Sequence, residues 1–163
     1  MDTFPRAELN RLTDRTGYPG INQEEWRSLR EYIRRHGTEY DELRFNVRIG
    51  IGITLQGDYT EKFVKDWEER TKMRPDCIGF VYPNVATIIE AKVQWTNHAV
   101  WQVSDYRDRY QHDHPGDVVH VIGVAEAYTE NARQLSSDKG IKLFIYAFPP
   151  EDPLAGGTED ARS

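Results

Sequence analysis

Apolar positions along the chain change their period several times, and each change marks an element. Behind Asn22, a residue suited to N-capping, Trp26, Leu29 and Ile33 recur at helical spacing and predict a helix to about His36. Leu43 to Leu55 then alternates with period two through Phe45, Val47, Ile49, Ile51 and Ile53, which predicts a strand despite Gly50 and Gly52. Gly57 breaks the chain before a second helix, from about Tyr59 to Thr71, with Phe63, Val64 and Trp67 on its apolar face. Two β-rich runs follow, Cys77 to Tyr82 and Val85 to Val93, joined at Pro83-Asn84 as a hairpin. Thr96 or Asn97 can cap a third helix to about Gln111, with Ala99, Val103, Tyr106 and Tyr110 on one stripe. After Pro115-Gly116, Val118 to Val124 reads as a buried strand, Ala125 to Leu135 as a helix and Ile141 to Ala147 as a last strand. Helices alternating with strands predict an α/β or mixed α+β domain.

The length of 163 residues with 12% aromatic side chains fits one domain with a real core, expected over residues 1–148. Pro149 to Ser163 is rich in Pro, Gly and acidic residues and reads as a disordered acidic tail. No stretch approaches the roughly 18 apolar residues of a membrane span, and Met1 to Leu12 holds no apolar segment of the export type. The single Cys77 excludes an intramolecular disulfide and any multi-cysteine metal cluster. A reducing, cytoplasmic setting is the expectation, with no membrane partner. The net charge of -6 disfavours a nucleic-acid partner only at first sight. Residues 1–112 hold 17 basic and 18 acidic side chains, and residues 113–163 hold 4 and 9, so the acidity is a C-terminal property. Arg27, Arg30, Arg34 and Arg35 fall at helical intervals and are expected on a solvated face.

The informative stretch runs from Arg74 to Tyr106. Strand alternation puts Ile88, Glu90, Lys92 and Gln94 on one face, so Glu90 and Lys92 are neighbours. A carboxylate and an ammonium ending an apolar strand must be paired or hydrated. Asp76, at the start of the preceding strand, would add a second carboxylate. Two such groups make a hard oxygen site suited to Mg²⁺ or Mn²⁺, and a lysine beside it can orient or help deprotonate an attacking water. For Asp76 and Glu90 to share one ion they must point to the same side of the hairpin. A two-residue loop at Pro83-Asn84 would set Asp76 opposite Ala91, so the register requires an odd-length loop or a bulge.

Pro75-Asp76, thirteen intervening residues and Glu90-Ala91-Lys92 together resemble the signature of the PD-(D/E)xK nucleases, and Gln102-Val-Ser-Asp-Tyr106 resembles the QxxxY element of their RecB-like and lambda-exonuclease-like branch. A Holliday-junction-resolvase-like branch is the other affinity. The resemblance covers about a third of the chain by motif. It implies a restriction-endonuclease-like core, a central mixed sheet flanked by helices, and a Mg²⁺-dependent deoxyribonuclease, endonuclease or exonuclease. Asp76, Glu90 and the carbonyl of Ala91 would hold the metal, and Lys92 would be the catalytic lysine. Gln102 and Tyr106, with Arg74, would meet the DNA backbone. The family usually adds a third carboxylate from an earlier helix. Gly57-Asp-Tyr-Thr-Glu61 resembles the start of the resolvase helix and makes Glu61 the expected ligand, with Glu25, in phase with Leu29 and Ile33, as its rival. A homodimer is a compatible assembly. The contrasting expectation is a nucleic-acid-binding or assembly module on the same fold that does not cleave.

Other candidates have simpler roles. His112 and His114 flank a helix end and read as loop residues. Cys77 is expected as a small buried core residue. Trp95 and Trp101 flank the site, with core packing as their default and base stacking as the alternative.

Overall fold

The computed structural model describes residues 1–149 and builds them on one six-stranded sheet whose spatial order follows the sequence. Strands β1 (Asp2–Pro5), β2 (Glu42–Phe45), β3 (Cys77–Val81) and β4 (Val85–Trp95) run antiparallel to their neighbours, while β5 (Val118–Tyr128) and β6 (Lys142–Ile145) add in parallel. Helices α1 (Leu9–Thr13) and α2 (Gln23–His36) cover one face; α4 (Asn97–Asp113) and α5 (Glu130–Asp138) make the parallel crossovers on the other. Helix α3 (Glu61–Thr71) lies between β2 and β3 in sequence. The expected mixed α/β architecture, a mixed sheet flanked by helices, is the observed one.

Strand parity divides the core. Leu43, Phe45, Cys77, Ile89, Ala91 and Val124 face α1 and α2, where they meet Leu12, Trp26, Leu29 and Ile33. Ile78, Ala86, Ile88, Val121 and Ala125 face α4, where they meet Val100, Val103, Tyr106 and Tyr110. Asn22 caps α2 by accepting from the Glu25 amide at 2.8 Å. Cys77 is fully buried and free, as expected, and burial pushes its thiol well above its ordinary range.

Three expectations are corrected. The strand foreseen over Leu43 to Leu55 stops at Phe45, because Asn46 takes φ 56° and Gly50 φ 74°, and left-handed residues cannot continue a ladder. Beyond them, Ile51 and Ile53 are exposed. Helix α3 forms where expected, capped by Thr60, but buries none of its residues, so Phe63, Val64 and Trp67 do not face a core. Ala125 to Tyr128 continues β5, since Gln94 and Trp95 of the long β4 still offer partners; Thr129 then caps α5 by accepting from the Ala132 amide. The short β1 and α1 had no period long enough to be read. The acidic tail falls mostly outside the described residues. No described helix is long and apolar enough to cross a membrane.

Candidate active site

The β3–β4 hairpin turns through three residues, Tyr82 to Asn84, pairing Val81 with Val85 and Cys77 with Ile89. That odd loop is what the register required. It sets Asp76, one residue before β3, opposite Glu90 and on the same side. Parity puts both on the α4 face, with Ile78 and Ile88 as the apolar floor behind them.

Hydrogen bonds tie the two strand ends together. The Asp76 amide donates to Glu90 Oε2 at 3.2 Å, and the Ala91 amide donates to Asp76 Oδ2 at 2.8 Å. Since N–H and C=O of one strand residue point to the same edge, the Ala91 carbonyl also points past the end of β3, beside Asp76. Lys92 Nζ donates to Glu90 Oε1 at 2.8 Å. Glu90 is only 3% exposed, Asp76 is partly exposed, and the Lys92 side chain reaches solvent at the rim.

Burial and the neighbouring Glu90 charge push the Asp76 carboxyl up to about 8. Burial likewise raises Glu90, although Lys92 pulls the other way. Burial disfavours the Lys92 ammonium, but the charge and hydrogen bond of Glu90 outweigh it, so Lys92 is held above its ordinary range. Two facing carboxyls that resist joint ionisation beside one cation are a donor set short of positive charge.

Helix α4 closes the other side. Gln102 Nε2 donates to the Tyr106 hydroxyl at 2.7 Å, while Gln102 Oε1 is buried without a partner. Tyr106 is 6% exposed; burial raises its phenol, and the charges of Glu90 and Asp76 raise it further. Behind Glu90, Gly123 is its parallel-strand partner, and a Cβ there would come within 2.6 Å of the Trp95 ring. Trp95 is fully buried and its indole donates to Ser136 at 2.9 Å, so it is core rather than a base platform. Trp101 is exposed, with Lys139 Nζ 4.3 Å from its ring centre.

The remaining expected residues lie differently. Glu61 is exposed at the start of α3 and pairs with Lys65 at 3.4 Å; the structure does not bring it to Asp76 and Glu90. The carboxylate whose charge reaches Asp76, Glu90 and Lys92 is that of Glu25. The sequence named Glu25 as the rival ligand, and the Asn22 cap, which accepts from its amide, fixes it in the first turn of α2. Arg74 is exposed, with its guanidinium beside Gly20 and Asn46. Arg27 is not simply solvated, for it pairs with Glu126 on β5. Among the described residues, no three His, Cys, Asp or Glu side chains gather as a metal cluster; this holds for His112 and His114 as well.

No protein-family model matches the chain, and no curated protein matches it. Among solved structures it is similar to a repair endonuclease from Pyrococcus abyssi, with 20% identity, a TM-score of 0.48, and coverage of 82% of this chain and 50% of that one. It is also similar to EndoMS in a dsDNA complex, with 16% identity, a TM-score of 0.46 and coverage of 85% and 50%. For EndoMS in apo form the values are 26%, 0.36, and 45% and 32%. The chain spans half or less of the length of these structures.

Proposed function

We propose that the chain is a metal-dependent nuclease that hydrolyses DNA phosphodiester bonds at the Asp76–Glu90–Lys92 site. The observation that carries this reading is the hairpin register, which brings two carboxyl groups and one lysine together at the open end of an otherwise apolar strand pair. Structural hairpins have no need of that trio, because burying paired charge costs more than it returns.

The donor set fits a hard divalent cation, Mg²⁺ or Mn²⁺, held by Asp76, Glu90 and the Ala91 carbonyl, with Glu25 rather than Glu61 as the outer carboxylate. Such an ion would supply Lewis-acid polarisation of a phosphoryl oxygen. Lys92, kept protonated by Glu90, donates a hydrogen bond and orients the attacking water instead of removing its proton. Gln102 Oε1 and the Tyr106 hydroxyl offer polar atoms to the substrate beside the pair. Ile78 and Ile88, both fully buried on the same face of the hairpin, keep the floor behind the two carboxyls dry.

The test is incubation with plasmid, linear and single-stranded DNA in Mg²⁺, in Mn²⁺ and in EDTA. Cleavage that needs metal and disappears in Asp76→Asn supports the reading. That no three-carboxylate cluster forms among the described residues favours the second reading, a DNA-binding or assembly module that does not cleave. DNA binding without strand breaks under every condition would establish that one instead.

A further inference from the structure

Three guanidinium groups line the rim of the site on the side of α1 and α2. Arg74 is exposed and stands two residues before Asp76, so their backbones lie within about 7 Å of each other. Its guanidinium rests on Gly20, where the chain takes φ 85° and a Cβ would meet Arg74 Nη2 at 3.3 Å, with the left-handed Asn46 beside them. Arg15, also exposed, lies across the Tyr18–Ile21 turn, its guanidinium 5.3 Å from the ring centres of both Phe4 and Tyr18. Arg30 comes next: its Nη1 donates to the Arg15 carbonyl at 3.2 Å, while its Nε is buried without a partner. That carbonyl also accepts from the Trp26 indole at 3.0 Å, so the loop does not depend on Arg30. Arg30 borders a cavity of about 660 Å³ whose lining includes Thr16, Gln23, Glu24, Arg27 and Glu126, the last two paired with each other. Among the described residues, none of Arg15, Arg30 and Arg74 has a carboxylate partner.

We propose that Arg74, Arg15 and Arg30 form a phosphate track, which leads the backbone of a DNA strand from the Asp76–Glu90 pair across the Tyr18–Ile21 turn to the cavity beside α2. The track presupposes the nuclease reading of that pair and adds the direction in which its substrate runs. Charge selects the side. Residues 9–36, from α1 through α2, carry six basic and four acidic side chains, one of the four being Glu25, and Arg74 adds a seventh cation. Residues 46–73 carry five of each, and α4 carries two basic and three acidic, so neither the segment bearing α3 nor α4 attracts a polyanion. The donors agree with the charge. A guanidinium without a carboxylate keeps its fork of N–H groups for phosphate oxygens. The buried Arg30 Nε is a donor whose desolvation is uncompensated, and an oxygen entering the cavity supplies the acceptor. Gly20 lets the Arg74 fork lie against the turn, where a side chain would push it away.

The experiment is the salt dependence of DNA binding by the full chain in EDTA, read by fluorescence anisotropy with labelled duplex and single-stranded oligonucleotides. Arg15→Gln, Arg30→Gln and Arg74→Gln should each weaken binding severalfold for unrelated sequences and lower the slope of log Kd against log salt by about 1, the loss of one phosphate contact. Arg133→Gln, on α5 where Arg133 pairs with Glu130, should leave the slope unchanged. Arg15→Lys should keep the wild-type slope, because the track uses its charge rather than its stacking. Gly20→Ala should weaken binding in the wild type and cost nothing further beside Arg74→Gln, since it acts through that side chain. Melting curves confirm that each variant is folded at the assay temperature. If the wild type binds DNA and the three arginine variants keep its slope, or Arg133→Gln loses as much as they do, the track is overturned while the nuclease reading stands. Arg15→Lys no better than Arg15→Gln, or a Gly20→Ala loss that persists in full beside Arg74→Gln, overturns it too by marking those residues as packing. A wild type that binds no DNA at any salt concentration brings down the nuclease reading, and the track with it.

Discussion

Asp76 and Glu90 face each other one step beyond the last paired residues of the β3–β4 hairpin, and the Asp76 amide donates to the Glu90 carboxylate at 3.2 Å. Each carboxyl therefore helps to position the other while opposing its ionisation. Asp76→Asn and Glu90→Gln keep the shape and the hydrogen-bond acceptors but remove the charge that would hold a cation. Both variants are expected to fold and to lose at least about 100-fold in cleavage rate, the scale of losing one electrostatic contributor at a reacting centre. Plasmid nicking measured alongside far-UV circular dichroism checks this. A Glu90→Gln protein that cleaves like the wild type would sink the assignment.

The pair also predicts how stability varies with pH when metal is absent. Asp76 titrates at about 8 in the folded chain against an ordinary 3.8 when unfolded, so between those values the folded state binds the extra proton. Stability conferred by that proton is complete below about pH 4 and drains away as pH rises to about 8. Asp76→Asn should therefore melt higher than wild type above pH 8 in EDTA, by about 3 °C or more for a chain of this size, with the gap closing towards pH 4. Saturating Mg²⁺ should raise wild type and leave the variant unmoved. Melting curves at pH 4, 6 and 8.5 decide it; a variant that melts lower at pH 8.5 would mark Asp76 as a structural ion-pair member.

Glu25 and Glu61 divide cleanly. Resemblance to the start of the resolvase helix favoured Glu61, with Glu25 as the rival in helical phase, but the structure places Glu61 in solvent beside Lys65 and lets the Glu25 charge reach the pair. Glu25→Gln, which leaves the backbone cap from Asn22 intact, should raise the Mg²⁺ concentration for half-maximal cleavage severalfold. Glu61→Gln should leave it unchanged. A metal titration of the two variants in parallel gives the answer, and the reverse ranking would return the third carboxylate to α3.

What the sequence revealed of this fold depended on how far each pattern had to reach. Parity within β4 was enough to put Glu90 and Lys92 on one face, and counting across the hairpin was enough to demand the odd loop that sets Asp76 against Glu90. Both are local, and steric alternation enforces them. Alternation from Val47 to Ile53 is just as regular, yet among the described residues only the isolated bridge of Ile49 to Met73 pairs it, and a ladder needs a partner that period alone cannot supply. Glu25 was visible only as a phase match, since its place beside the pair depends on how α2 lies across the strand ends. Helix α3 was legible as a helix from its cap and its apolar spacing. That its apolar face is left only half covered is a tertiary fact.

Gln102 and Tyr106 provide the remaining separation between binding and chemistry. Their mutual hydrogen bond at 2.7 Å leaves Gln102 Oε1 buried and unpartnered, a state that costs about 1–3 kcal/mol unless something arrives to bond it. If a DNA group or its hydration water fills that position, Gln102→Leu removes both the orphan and the contact. The expected outcome is a protein at least as stable as wild type that binds DNA about tenfold more weakly in EDTA, close to the net value of one polar contact. Its Mg²⁺ requirement should not change, because neither oxygen of Gln102 is among the metal donors. Tyr106→Phe, which strands the Gln102 amide as well, should lose stability and binding together. Fluorescence anisotropy with a labelled duplex, paired with melting curves, separates the two effects, and unaltered affinity in Gln102→Leu would reduce the pair to helix packing.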